Sequence, residues 1–498
     1  MTIFPHSDSY CYVASNRTVA DLSKSPHRDV NLGKFEHNGV SRTPLSAPGG
    51  RFVRKRLRRD ARIMRFVTLG TIGFFNLYFA AHYIRLALAR EYEPSLLDES
   101  TCVILLPLSV LFLKDQRSWL PVLFLLSYWV VLILGVIIFH TAGIPQPLSA
   151  IITIFLDSKL AIMTFAFAWL FKRTGSATQV FESLFILIIF LGLINIPFIF
   201  HDLAAHVSIK GTALAVKGTF VQPQGLFMHH TEVAWLNVFG AFAAATRYRL
   251  RKRTLDFMLC ALFVVIVCVV ISIKEMVGCF VGLLIILRPN RSGFASLGVG
   301  LAVLAGVAAF VLYFTDLGTA ILEHVGMFYG SDAIETVRSA MMNASVRIAA
   351  EHFPLGTGAG TFGSAASYQF GYSQLYYDYG IALLNGGSPD MPAFLQDVYW
   401  SKLIAEGGAL GVTSYLLFLV SCGVHLFYRD PNEKPIDENL RRLCLALLFL
   451  VLAISVASSP FTDELLEFVA ALCLGYGMSR PLRAYGERNS FPSAAPTR

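Results

Sequence analysis

Charged residues are scarce in this sequence. Asp, Glu, Lys and Arg make up 15% of the 498 residues, whereas hydrophobic residues make up 55%. Soluble domains usually contain about 25% charged residues, so the composition argues against a soluble globular protein. It favours a chain whose surface largely faces lipid.

Cysteine patterns, internal repeats and nucleotide motifs are also missing. The eight cysteines include no CxxC pair, and none lies in the long segment 315–396, which gives no sign of a disulfide framework. No repeated halves are evident, which argues against a transporter built from two symmetric units. The polar residues 1–50 contain no short apolar core of the kind that a signal peptide needs. We interpret them as a disordered tail.

Long hydrophobic runs dominate what is present. A bilayer core of ~30 Å needs about 20 mostly apolar residues per helix. Candidate spans lie at 66–84, 100–113, 119–140, 150–171, 179–200, 231–247, 255–272, 276–288, 295–314, 397–427, 439–459 and 463–479. The sequence therefore predicts an all-α polytopic membrane protein with about twelve transmembrane helices.

Basic residues occupy every second connection between these spans. They lie at 51–65, 114–117, 172–173, 249–253, 288–291, 429–442 and 479–483. The segment 315–396 contains only Arg338 and Arg347. The positive-inside rule then places both termini in the cytosol and 315–396 outside. The net charge of +8 is explained by this topology, so we do not predict nucleic-acid binding.

The predicted organisation follows from these boundaries. Residues 1–63 form a disordered basic cytoplasmic tail, 64–314 nine transmembrane helices, 315–396 an external cap, 397–482 three further helices and 483–498 a second tail. A cap this long is either functional or disordered. The aromatic-rich stretch "FGSAASYQFGYSQLYYDYG" (363–380) indicates that it is packed.

Two motifs in and after the cap resemble a known family. "FPLGTGAGTFG" (353–363) and "DVYWSKLIAEGGALG" (397–411) are similar to motifs of the O-antigen ligase/polymerase family, in which the second reads roughly HNxxLxxLxExGxxG. Glu406, Gly408 and Gly411 match in register, while Asp397 stands where the family usually has histidine. Arg347 matches an arginine ahead of the glycine turn. "QPQGLFMHHTEVA" (222–234) is a weaker resemblance, with Gln222 in the place of an arginine.

The resemblance implies a metal-independent, inverting glycosyl transfer at the periplasmic face of the bacterial inner membrane, without a cofactor. The donor would be an oligosaccharide on undecaprenyl diphosphate, with membrane lipid and possible flippase and chain-length regulator proteins as partners. Because the histidine of the ligases is replaced by Asp397, polymerisation of repeat units into an exopolysaccharide, capsule or O-antigen is favoured. Ligation of polymer to lipid A-core is the alternative.

Asp397, Arg347 and Glu406 are the predicted catalytic residues. Asp397 is the candidate base for the acceptor hydroxyl, with a helix N-cap as its alternative role. Arg347 would stabilise the diphosphate, or simply pair with Glu351 one helical turn away. Glu406 lies about 13 Å further along the helix that follows Asp397. Either it pairs with Lys402 or it faces a wet cavity.

The predicted substrate-binding residues are Arg338, Lys274, His229, Gln222, Tyr372, Gly358 and Gly360. Arg338 and Lys274 would contact the diphosphate, although Lys274 could instead be an interfacial lysine. Tyr372 could stack on sugars or pack within the cap. A zinc site at His229 and His230 is not predicted, since adjacent histidines are expected to point apart and no further ligand spacing supports it.

Two other classes remain open. A lipid-linked oligosaccharide flippase could also have about twelve spans. A non-catalytic assembly subunit could have the same cap. The sequence alone leaves these alternatives to experiment.

Overall fold

The computed structural model describes residues 49–88, 97–115, 119–139, 147–211, 213–217, 220–288, 336–392, 394–428, 433–456, 458–461 and 463–480. Most of these residues are helical. The residues from Asp60 onward belong to one unit, which contains every described element except the first residues of the first helix.

Among the described residues, eight helices precede the cap and three follow it. The first eight are α1 (Gly49–Leu88), α2 (Leu97–Asp115), α3 (Leu120–Phe139), α4 (Pro147–Thr174), α5 (Ala177–Ala205), α6 (His230–Arg251), α7 (Thr254–Val270) and α8 (Ile273–Leu287). The cap contains α9 (Val337–Glu351), α10 (Ala366–Gln369), α11 (Gln374–Asp378) and a 3-10 turn (Ile381–Leu383). Then follow α12 (Tyr399–Phe427), α13 (Pro435–Ser455) and α14 (Glu464–Ser479). A small antiparallel hairpin, β1 (Ala215–Lys217) and β2 (Phe220–Gln222), precedes α6.

Each predicted span except the ninth overlaps one of these helices, and the ninth, 295–314, lies outside the described residues. Four described helices are long and apolar enough to cross a membrane, namely α3, α4, α5 and α12. The chain is thus mostly helical with several helices able to span a bilayer. The total of about twelve spans stays a prediction.

Helix α1 begins earlier than the sequence indicated. It starts at Gly49, so the basic residues 51–63, assigned above to a disordered tail, are helical. Arg, Lys, Leu and Ala have high helix propensity, which explains why the segment continues the helix of the first predicted span. Residues 1–48 and 481–498 lie outside the described residues.

The outward face of α3 is strongly apolar. Leu123 and Ile137 are exposed by 58% and 63% of their surface, and Leu126, Val130 and Ile133 are exposed as well. A contiguous apolar surface of this kind on a helix of a soluble protein would be unstable in water. It is the surface expected to face lipid tails.

The helices pack around an aromatic core. The rings of Phe75 on α1, Phe167 on α4 and Phe468 on α14 lie with centroids 4.8 to 5.6 Å apart. Around this core α14 packs on α4, α13 on α8, α6 on α7, and α12 on both α3 and α9. The cap helix α9 is therefore docked on a helix of the bundle.

Arginines from separate connections meet at one end of the bundle. Arg249 at the end of α6 donates hydrogen bonds to the carbonyl oxygens of Ile286 (2.8 Å) and Arg288. Arg442 near the start of α13 donates to the same Arg288 carbonyl (2.5 Å) and pairs with Glu438 (2.7 Å). These connections are ones that the charge pattern predicted to share the cytosolic side. We call this the basic end.

The cap is anchored in a break of α12. Gly408 interrupts the helix with φ 56° and ψ −160°, which frees backbone groups on both sides. The N–H groups of Thr357 and Gly358 donate to the carbonyl oxygens of Ala405 (3.0 Å) and Glu406 (2.9 Å). The N–H of Leu410 donates to the Pro354 carbonyl (3.1 Å). The glycine turn of the cap thus completes the hydrogen bonding of the broken helix.

Candidate functional site

Arg338 and Asp397 form an ion pair where the cap meets the bundle. The Thr336 side chain accepts a hydrogen bond from the Ser339 N–H and caps α9, which fixes Arg338 in the first turn. Its Nε donates to Asp397 Oδ2 at 3.0 Å, and Nη2 donates to the same oxygen. The two side chains are 34% and 33% exposed, so the pair is open to solvent.

Asp397 does not cap the following helix. The N-cap of α12 is Val398, and no side chain caps it. Instead the Asp397 N–H donates to the Phe394 carbonyl (3.3 Å), and this turn places the Phe394 ring beneath the Arg338 guanidinium, 5.3 Å from its centroid. The alternative role of Asp397 as a cap is therefore wrong, and its carboxylate is directed to Arg338.

Lys274 lies close to this pair. It is in the first turn of α8 and donates a hydrogen bond to Ser458 in the turn between α13 and α14. The adjoining Ser459 donates to the carbonyl oxygen of Gln396, the residue before Asp397, so this turn brings Lys274 near the pair. Its side chain is 19% exposed, so it is largely enclosed by protein. An interfacial lysine reaching toward lipid headgroups would be more open than this.

His229 is the fourth member of the group. It caps α6, with Nδ1 accepting from the Thr231 N–H at 3.3 Å. Its ring is exposed, yet desolvation lowers its pKa, the positive charges of Lys274 and Arg338 lower it further, and Asp397 opposes them. We call His229, Lys274, Arg338 and Asp397 the four-residue cluster.

The four-residue cluster lies at the end of the bundle opposite the basic end. Helix α8 carries Lys274 in its first turn and ends beside Arg288, a length of about 20 Å. Helix α6 likewise runs from His229 to Arg249. Four segments that are distant in sequence therefore converge at one end, where the cap sits.

The two histidines do not point apart as the sequence analysis expected. The ring centroids of His229 and His230 are 4.2 Å apart with an interplanar angle of 35°. The reason is that His229 has extended backbone at the helix N-cap, whereas His230 begins the helix. Within the described ranges, no group of three or more His, Cys, Asp or Glu side chains is arranged to hold a metal ion.

Arg347 is not brought to Asp397. It is nine residues beyond Arg338 on α9, which corresponds to about 14 Å along the axis and about 180° around it. Arg347 is exposed, and its expected partner Glu351 instead accepts a hydrogen bond from Tyr379 at 2.6 Å. Arg338, predicted above as a substrate-binding residue, is the arginine that lies beside Asp397.

Gln222 and Tyr372 have structural contacts. The buried Gln222 amide donates to the carbonyl oxygens of Val270 (3.2 Å) and Ile271 (3.3 Å), which end α7. It therefore holds the turn that leads to Lys274 rather than a substrate. Tyr372 donates to the Gly387 carbonyl and lies 4.9 Å from the Tyr376 ring, and burial raises its pKa to about 12. It packs within the cap.

Gly358 and Gly360 lie where the cap touches two helices. A Cβ on Gly358 would approach the Val136 backbone nitrogen of α3 to 2.2 Å. A Cβ on Gly360 would approach Ser149 Oγ of α4 to 2.5 Å. Both glycines are buried, so they permit close packing of the turn, and they are not open to a ligand in this structure.

Glu406 lies inside the bundle below this turn. It is 1% exposed, and its Oε1 accepts hydrogen bonds from the N–H groups of Thr361 (3.0 Å) and Phe362 (3.1 Å). Lys402, its expected partner, instead pairs with Asp157 of α4. The Lys402 pair predicted for Glu406 is therefore wrong, and the wet cavity stays a prediction. Glu406 fastens the cap to α12.

Sequence analysis missed Asp157. Its Oδ2 also accepts a hydrogen bond from the Tyr128 hydroxyl at 2.8 Å, so α3, α4 and α12 are joined through one carboxylate. The signal was present, because Asp157 and Lys159 are isolated charges within the apolar span 150–171. Ionisable residues within such spans are costly unless paired or functional.

The chemistry available at the four-residue cluster is anion binding and proton acceptance. Two fixed cations, Arg338 and Lys274, can stabilise a negatively charged group. The Asp397 carboxylate is within reach of solvent and can accept a proton from a hydroxyl.

Two comparisons with known proteins give no match to this chain. A scan against protein-family models finds no match to this chain, and a search of curated proteins finds no significant similarity. The resemblance to the O-antigen ligase/polymerase family therefore rests on the quoted motifs alone.

Proposed function

We propose that this protein polymerises oligosaccharide repeat units carried on undecaprenyl diphosphate, at the periplasmic face of a bacterial inner membrane. The observation that carries the proposal is the convergence of Lys274, Arg338 and Asp397 where the cap meets the bundle, at the end opposite the basic end. Donor and acceptor would both bind at this cluster.

The leaving group sets the first demand of such a reaction. A lipid diphosphate gains negative charge as the glycosidic bond breaks, and fixed cations stabilise that charge without reorganisation. Arg338 and Lys274 are held at this position by the α9 cap and by Ser458, respectively. In this proposal they replace Arg347 as the groups that contact the diphosphate.

The acceptor sets the second demand. Its hydroxyl must lose a proton as the oxygen attacks the anomeric carbon, and Asp397 is the carboxylate beside the two cations. His229 can contribute a hydrogen bond to the sugar. Its Nδ1 contacts the hydroxyl (2.7 Å) and the N–H (3.3 Å) of Thr231, so the bond to the sugar would be made through Nε2.

Complementation of cells that lack the chain tests this function. Arg338→Ala and Asp397→Asn should each abolish long polysaccharide on a gel at normal protein level. Arg347→Ala is the matched control, because it removes the same charge from the exposed opposite side of the same helix. It should leave the polymer length unchanged. An equal loss of polymer in the control variant would contradict the assignment.

Mass spectrometry of the carrier lipid in cells without the protein distinguishes the alternatives. Single repeat units exposed on the periplasmic side indicate a polymerase. Long polymer left on the carrier indicates a ligase. Repeat units retained on the cytosolic side indicate a flippase and refute transfer chemistry.

A further inference from the structure

In this structure the Arg338 guanidinium and the Asp397 carboxylate bind each other. The proposed reaction needs the first for the diphosphate and the second as a base. Arg338 Nε and Nη2 donate to Asp397 Oδ2, and in the described part of the chain these are the hydrogen bonds that the carboxylate accepts. Asp397 Oδ2 is thus occupied by two N–H donors, and these N–H groups of Arg338 are directed to Asp397 and not to a ligand.

The geometry of the pair leaves it open to exchange. A guanidinium binds best when two of its N–H groups meet two separate oxygens, as in a bidentate phosphate contact. Here both donors converge on one oxygen of Asp397. The pair is also about one-third exposed, and ion pairs in contact with water contribute little stability.

The groups around the ion pair favour a diphosphate as the anion that competes with Asp397 for Arg338. Lys274 donates to Ser458, and the adjoining Ser459 donates to the carbonyl of Gln396, the residue before Asp397. An anion bound by Arg338 at this turn therefore lies near a second cation, although Glu275 Oε1 is also 4.0 Å from Lys274 Nζ. The Phe394 ring lies 5.3 Å from the Arg338 guanidinium and can support it by a cation–π contact as it turns from Asp397. A diphosphate has more charge and more oxygens to offer than the carboxylate.

We propose that the donor diphosphate takes Arg338 from Asp397, so that donor binding itself releases the base and must precede transfer to the acceptor. The acceptor oxygen then bonds to the anomeric carbon, the bond from that carbon to the diphosphate oxygen breaks, and its electron pair leaves with the diphosphate. The hydroxyl proton moves to Asp397. This inference rests on the proposed function and makes Arg338 a switch as well as a binding residue.

Binding of farnesyl diphosphate to the purified full chain in nanodiscs tests the exchange, with farnesol as the uncharged control. Asp397→Asn removes the competing charge and should tighten farnesyl diphosphate binding about two- to fivefold, the factor expected for one exposed ion pair. The same variant should have lost polymerisation. A mutation that tightens donor binding while removing turnover is not expected from a damaged fold.

A double-mutant cycle distinguishes release of Arg338 from Asp397 from a simple loss of repulsion between Asp397 and the diphosphate. In the Arg338→Ala background, Asp397→Asn should produce no tightening, because no guanidinium remains to be released. Tightening of equal size in that background would mean simple removal of repulsion and would overturn the inference.

Asp378→Asn is the matched charge control. Asp378 is exposed, and the neighbouring Tyr379 contacts Glu351 at the far end of α9, about 20 Å from Arg338. It should leave the affinity unchanged, and tightening equal to that of Asp397→Asn would overturn the exchange. If the wild type binds farnesyl diphosphate no better than farnesol, the proposed function fails. If it binds but Asp397→Asn binds no tighter, only the exchange fails.

Discussion

Replacing Gly408 by alanine should release the cap from the bundle. The residue has φ 56° and ψ −160°, a conformation that is essentially restricted to glycine. A Cβ there would lie 2.4 Å from the Gly356 nitrogen and 2.7 Å from the Pro354 oxygen. Both of these are backbone atoms, so the contact cannot be relieved by rotating a side chain.

The expected cost follows from two contributions. The backbone conformation alone costs about 1–3 kcal/mol for a residue with a side chain. Moving the turn away weakens the hydrogen bonds of Thr357, Gly358 and Leu410 across the break, and each buried group left without a partner costs about 1–3 kcal/mol. We expect a local destabilisation of about 3 kcal/mol or more. This corresponds to an increase of about 100-fold in the opening equilibrium.

Hydrogen exchange measured by mass spectrometry is the direct assay. Amide exchange in the peptide 354–363 should accelerate about 100-fold in Gly408→Ala if opening is fast and reversible. Gly423→Ala is the control on the same helix, because a Cβ there meets only Leu474 Cδ2 at 3.6 Å. Alanine in that regular helical position should be neutral or slightly stabilising. Equal exchange in the two variants would refute the reasoning that the break in α12 anchors the cap.

Three further predictions concern buried and titrating groups. Lys402→Met leaves Asp157 buried without its partner and should lower stability by about 3–5 kcal/mol in thermal unfolding, whereas combining it with Asp157→Asn should recover part of the loss. Glu406→Ala leaves two backbone N–H groups without an acceptor and should lower the free energy of unfolding by about 2 kcal/mol or more. Glu406→Gln retains an acceptor oxygen and should lower it by less than half as much. Because the pKa of His229 is lowered from its ordinary 6.5, folding favours the neutral ring, so stability should fall as the pH drops below 6.5. A melting series against pH should have a shallower slope for His229→Gln, and an unchanged slope would contradict this assignment.

The sequence was informative about helices and about the cap. Apolar runs separated by charged connections predicted the described helices closely, because burial in lipid leaves few alternatives to a helix. The aromatic stretch 363–380 predicted a packed cap, and Phe362, Leu375 and Tyr376 do form a core there. The start of α1 was missed because the charge of residues 51–63 was weighed above their helix propensity.

The sequence did not predict which side chains contact each other. Lys402 and Glu406 are four residues apart and were expected to pair, yet a break at Gly408 directs the Glu406 carboxylate to the cap and leaves Lys402 to Asp157. The glycine turn looked like a ligand loop, and its glycines instead allow backbone contact with α3 and α4. Each of these outcomes depends on a neighbour that is distant in sequence.

By itself the sequence determined that this is a mostly helical chain with several helices apolar enough to cross a membrane. Only the tertiary structure decided that Arg338 rather than Arg347 meets Asp397. The physical reason is helix periodicity combined with docking. The two arginines lie on opposite sides of α9, and packing of one side against α12 fixes which guanidinium reaches the carboxylate.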